Sequence, residues 1–79
     1  MNFSPRQRQI IERYRSLLSF TVRAFYNDIE IVVMDAFLYL YFKTFMVTTA
    51  ELQRHTSFPE AKLREILYLF KKDKLIRDL

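Results

Sequence analysis

The sequence predicts a mostly α-helical fold: four helices, with at most a short two-stranded sheet. Three observations point there. The 79 residues contain no glycine, which removes the residue that tight primed hairpins and phosphate-cradling loops depend on. Two capping boxes stand close together, Thr48-x-x-Glu51 and Ser57-x-x-Glu60. In each, a hydroxyl accepts from an amide of the first turn and the glutamate reaches back. Between two charged flanks lies a long apolar run, residues 29–42. It carries Glu30 and Asp35, is stopped by Lys43, and is shorter than the roughly 20 apolar residues a membrane span needs. It reads as a buried core helix, so no membrane role is expected.

The first helix opens at Ser4-Pro5, with Ser4 as N-cap and Pro5 at the first helical position. Ile10, Tyr14, Leu17, Leu18, Thr21, Val22 and Phe25 hold one face to about residue 25. Arg8, Arg15, Ser19, Arg23 and Tyr26 fall opposite. Asn27-x-x-Glu30 is a weaker cap signal for the second helix, about residues 28–43. Ile29, Val32, Val33, Ala36, Phe37 and Leu40 form one apolar face of it, and Ile31, Met34, Leu38, Tyr41 and Phe45 another. A helix apolar almost all round is buried on more than one side, which makes this the central element. Residues 45–47, Phe-Met-Val, suit a short strand. The third helix is expected at about residues 49–55, with Pro59 in the first turn of a fourth at about 58–72. The fourth shows Leu63, Ile66, Leu67 and Phe70 at helical spacing. Residues 75–79 read as the start of a second strand, at which the chain ends.

This is a single domain, residues 1–79, with an N-terminal extension helix (1–27) ahead of a helix, short strand, helix-turn-helix and strand start (28–79). Hydrophobic content of 51%, with 16% aromatic, implies a dense core. Without cysteine there is no disulfide, thiolate metal site or cysteine nucleophile. No secretory signal core follows Met1. Net charge is +4, unevenly spread. Residues 1–27 carry five arginines against one glutamate, residues 28–53 one lysine against four acids, and residues 54–79 seven bases against four acids. Basic ends around an acidic centre are compatible with DNA, an acidic protein partner or plain solubility.

No enzyme chemistry is legible. His55 is the only histidine, with no second ligand at metal-binding spacing; a surface position at the end of a short helix is the plainer reading. Glu51 and Glu60 are explained as capping groups, and no nucleophile–base pairing can be read. No cofactor or metal is expected. The chain reads as a binding protein.

Two surfaces are candidates. On the fourth helix, the face away from the core carries Ala61, Lys62, Glu65, Tyr68, Leu69 and Lys72. A major-groove reader presents Arg, Lys, Asn or Gln there. A mid-face acid beside Tyr68 and Leu69 points instead to protein docking, with an ordinary solvated face as the alternative. Lys62, Glu65, Tyr68, Leu69 and Lys72 are therefore interface candidates. The second surface is basic: Arg8, Arg15 and Arg23 on the first helix, and Lys71, Lys74 and Arg77 at the end of the fourth. These are candidates for phosphate or an acidic partner, although helix C-termini favour cations in any case. Arg23 has a competing structural reading as the ion-pair partner of Asp35. On that reading Asp35→Ala costs about one to a few kcal/mol.

The order of elements, and the stretch Val22-Arg23-Ala24-Phe25-Tyr26 followed by Ile31-Val32-Val33-Met34-Asp35-Ala36, resembles the N-terminal extended winged-helix domain of the alpha subunit of transcription factor TFIIE and its archaeal counterpart TFE. The family pattern reads V-R-[GA]-F-Y, then V-L-D-A-[IL]. Glu51-Leu52 and the run from Leu63-Arg64-Glu65-Ile66-Leu67 to Asp73-Lys74-Leu75-Ile76 are similar to its helix-turn-helix and strand entry. The resemblance covers about residues 17–76. It implies an extended winged helix-turn-helix truncated before the wing hairpin, and without the family's cysteine-bearing zinc ribbon. It also implies a nuclear general initiation factor of RNA polymerase II that pairs with a TFIIE beta-like subunit. Such a factor docks on the polymerase clamp near promoter DNA, supports preinitiation complex assembly and promoter opening, and helps recruit TFIIH. DNA contact is expected to be weak and non-specific. A free-standing sequence-specific winged-helix regulator is the alternative, and a purely helical module without the strand at 45–47 is a third. With a wing absent, an unpaired strand edge and surplus apolar surface (Tyr39, Phe42) predict self-association as a symmetric dimer.

Overall fold

The computed structural model describes residues 3–17 and 26–77. They form four α-helices: α1 (Pro5–Leu17), α2 (Asp28–Thr44), α3 (Thr49–Thr56) and α4 (Glu60–Lys72). Among the described residues there is no strand. The mostly helical class therefore stands, and the two expected strands do not.

α1 begins as the sequence dictates. The Gln7 amide donates to Ser4 Oγ at 3.2 Å, and the Ser4 amide donates to Gln7 Oε1 at 2.8 Å. That makes Ser4-x-x-Gln7 a reciprocal cap of the kind expected further along the chain. The part of the first helix expected beyond Leu17, residues 18–25, lies outside the described residues.

α2 is the central element and touches α1, α3 and α4. Its N-cap is Asn27, whose side chain accepts from the Glu30 amide at 2.9 Å. Ile31, Val32, Val33, Ala36 and Leu40 are buried along it. They join Tyr26, Leu52, Phe58, Leu63, Ile66 and Phe70 in one core. α3 starts on the full capping box of Thr48 and Glu51, as expected.

Two local expectations fail, for one reason. A glycine-free chain must end its helices with other residues in the left-handed region, where glycine is favoured. Phe45 does so for α2 at φ 62°, and Ser57 does so for α3 at φ 63°. Phe45 donates its amide to the Tyr41 carbonyl at 2.7 Å and closes the helix. It therefore cannot begin a strand, and residues 46–48 continue as an irregular connection. Ser57 donates to the Gln53 carbonyl at 2.8 Å, so it caps the helix before it and not the helix after. The Ser57-x-x-Glu60 box does not form: Pro59 is the N-cap of α4, with no side-chain bond, and Pro59 thus precedes the first turn instead of entering it. Glu60 bonds Arg64 one turn on, at 2.7 Å.

α4 ends in a third left-handed residue, Lys74 at φ 60°. The Lys74 amide reaches the Lys71 carbonyl at 3.0 Å and the Leu75 amide reaches the Phe70 carbonyl at 2.9 Å, which is the paired closure of a Schellman end. Residues 75–77 are irregular, not the expected strand start, and residues 78–79 lie outside the described residues.

Candidate binding surface

The core accounts for the position of both candidate surfaces. Leu63, Ile66 and Phe70 face inward from α4, which turns Lys62, Glu65, Tyr68 and Lys72 outward. Lys62 is half-buried and lies 3.7 Å from Glu65. Tyr68 is 70% exposed. Leu69 departs from the expected face: it is half-buried and packs on the core. An α-helix places residue 69 about a third of a turn from 68, enough to carry it off the outer face toward α2.

The basic set does not form one stripe. Arg8 is exposed on α1. Arg15 is not available as a free cation: its Nε and Nη2 both donate to Asp28 Oδ1 at the start of α2. That pair joins the end of α1 to the positive end of α2's dipole, where a carboxylate is favoured. The expected Arg23–Asp35 pair falls partly outside the described residues, because Arg23 does. Asp35 has another partner, the Tyr14 hydroxyl, which burial and this hydrogen bond hold above the ordinary tyrosine range. Lys71, Lys74 and Arg77 are exposed at the far end of α4.

What sequence reading missed is a concave feature. The second half of α2, the connection after it, the last half of α4 and the tail behind it enclose an open trough. Met34, Phe37, Leu38 and Tyr41 form one wall, and Leu67, Leu69, Leu75 and Ile76 the other. Tyr26 also lines the trough; its ring meets Phe70 edge-on at 5.9 Å and its hydroxyl donates to Asp73 Oδ2 at 2.7 Å. Burial, first, and the Asp73 carboxylate, second, push that phenol up to about 12. It is a neutral donor at any physiological pH. The two segments expected as strands, at 45–47 and from 75, both line the trough. Their apolar residues were legible; their convergence on one cavity was not.

A buried carboxylate lies under the start of α2. Glu30 is 8% exposed and its Oε2 has no hydrogen-bond partner. Burial raises its carboxyl above the usual range, and the bond with the Asn27 backbone and the charge of Lys62 offset only part of this.

His55 is exposed at the end of α3 and stacks on Tyr39 at 5.2 Å. Among the described residues no group of three donors could hold a metal ion. None of the helices in the described residues is long and apolar enough to cross a membrane.

The geometry defines a class and no more: a small helical domain that offers an outward face on α4 and an apolar trough beside it. Comparison with protein families, with characterised proteins and with solved structures finds no match to this chain.

Proposed function

We propose that the chain is a nuclear binding module of the TFIIE alpha type, acting in RNA polymerase II transcription initiation. In this role it pairs with a beta-like subunit and docks on the polymerase clamp near promoter DNA. There it supports preinitiation complex assembly and promoter opening, and helps bring in TFIIH. The observation that carries the reading is the outer face of α4. α3 and α4 are joined by three residues, 57–59, in the manner of a helix-turn-helix. Yet the helix in the recognition position presents Lys62, Glu65, Tyr68 and Lys72, a face composed for protein more than for base edges. The Val22-Arg23-Ala24-Phe25-Tyr26 stretch adds the resemblance in sequence. The winged-helix assignment is part of the same proposal.

The test is reconstitution. With a photo-crosslinking side chain at Tyr68, the protein should retain the beta-like subunit and polymerase, and crosslink to the clamp. It should bind unrelated duplexes with similar, weak, salt-sensitive affinity. Failure to retain either partner, or tight binding of one sequence that survives high salt, overturns the reading; the second result would establish the sequence-specific regulator.

One observation favours another reading. No strand forms at residues 45–47, which is the feature that separates a purely helical interaction module from a winged helix. Backbone chemical shifts decide between them: extended values over 45–47 and 75–77 support the winged form, and their absence supports the helical module.

A further inference from the structure

The trough carries an inference whether or not the chain serves transcription. Its walls are largely apolar, and some of its lining residues are among the most exposed large apolar side chains described: Phe45 at 73%, with Met46 and Leu75 more than half exposed. A contiguous apolar recess of this kind on a small domain marks an interaction site. What covers it is indicated by charge. Lys72, Lys74 and Arg77 line the same trough, and among the described residues no carboxylate forms an ion pair with any of them. The one acid in the lining, Asp73, accepts the Tyr26 hydroxyl and offsets only part of this charge, so the lip is net cationic. An apolar slot with a cationic lip matches an apolar ligand with an anionic edge.

We propose that this trough binds an acidic amphipathic helix of a protein partner, with large apolar side chains at i, i+3 or i+4, and i+7 on one face and Asp or Glu beside them. Such a helix lays its apolar stripe in a groove. Methionine and leucine walls, here Met34, Leu38, Met46 and Leu67, adapt to side chains of varied shape. The aromatic rings are less suited to bases. Phe37 and Tyr41 stack on each other at 6.3 Å, which leaves Phe45 as the trough's openly exposed ring, whereas single-stranded nucleic acid is held by a series of open rings. A second copy of the chain is also a poor occupant. Trough against trough would bring Lys72, Lys74 and Arg77 against their own kind, and like charges across an interface oppose association.

The experiment uses fluorescence anisotropy on the 79-residue chain with three probes. The first is an acidic peptide of about 16 residues, roughly 24 Å as a helix, with Leu and Phe at the stated spacing. The second is the same peptide with every acid replaced by lysine. The third is an oligothymidylate of similar length. The acidic peptide should bind at least about tenfold tighter than the other two. The double variant Lys72→Glu with Lys74→Glu should weaken it by about tenfold or more. Phe45→Asn should do the same while keeping the helix end, since asparagine tolerates the left-handed region. Unchanged helical circular dichroism and melting in these variants keep the result interpretable. Equal binding of the lysine peptide, tighter binding of the oligothymidylate, or no binding of the acidic peptide overturns the proposal. So does a dimer by sedimentation that Phe45→Asn dissolves, which would make the occupant a second copy.

Discussion

The two halves of α2 face different surroundings although their apolar content is similar. Up to Ala36 the helix is enclosed: Glu30, Ile31, Val32, Val33 and Ala36 are all buried. Beyond it only Leu40 is buried, while Leu38, Tyr39, Tyr41 and Phe42 lie open. The first half supplies most of the buried side chains that α2 brings to the core; the second keeps lighter contacts, with Tyr39 stacked on His55 of α3 and Leu38 and Tyr41 across the trough from α4. Apolar residues on the first half therefore hold the domain together, and those on the second half form a surface. Hydrophobic content alone does not separate the two roles; how closely the neighbouring elements pack does.

The sharpest way to break this comparison is to shorten one residue in each half. Ile31 is fully buried and Phe42 is 74% exposed. Ile31→Ala should cost about 2–4 kcal/mol, the usual penalty for a core truncation, and Phe42→Ala less than about 0.5 kcal/mol. Chemical denaturation with a common m-value measures both. Similar losses would mean that the open half is covered in solution.

The start of α2 can be probed through Tyr26. Tyr26→Phe removes the donor to Asp73 but keeps the ring against Phe70. A loss of about 1–2 kcal/mol is expected for a hydrogen bond to a charged acceptor. The wild-type protein has a further signature. The phenol titrates near 10 when unfolded and about 12 when folded. The folded state thus binds its proton more tightly, and stability declines as pH rises between those values. The Phe variant should lack this decline, which thermal melts in alkaline buffer would show.

A smaller effect belongs to Glu30, where the substitution is expected to stabilise while the pH linkage keeps the same sign as that of Tyr26. Its carboxyl is raised in the folded state. The charged form therefore weakens the fold at neutral pH, and stability should grow as pH falls through the folded value toward 4.5, the ordinary one. Glu30→Gln should stabilise the protein by about 1 kcal/mol at pH 7 and flatten that acid-side gain. A destabilised glutamine variant would show that Lys62 compensates the buried charge after all.

Much of this architecture was legible in the residues. Ser4, Asn27 and Thr48 started their helices as read, and the all-round apolar pattern of α2 placed it at the centre. The misreadings share a cause. A capping box and a left-handed helix stop compete for the same serine, and at Ser57 the helix behind it won. A β-branched, aromatic run reads as strand, yet Phe45 was needed to end α2. Arg15 is a further case: on a helical wheel it belongs with Arg8, but Asp28 sits within reach only once α1 and α2 pack. The trough was beyond sequence reading because its walls come from segments some thirty residues apart, brought together by packing alone.

The hydrogen bond between Tyr26 and Asp73 spans 47 positions, whereas most of the helix pairing is between neighbours in the chain. Its consequence lies in time. Contacts between successive helices close short loops and can form early; a contact that must close more than half of the chain carries a larger entropic charge and is made late. Tyr26→Phe should therefore leave the refolding rate nearly unchanged and speed unfolding, so that the latch at the end of α4 governs how long a folded molecule persists more than how quickly it is made.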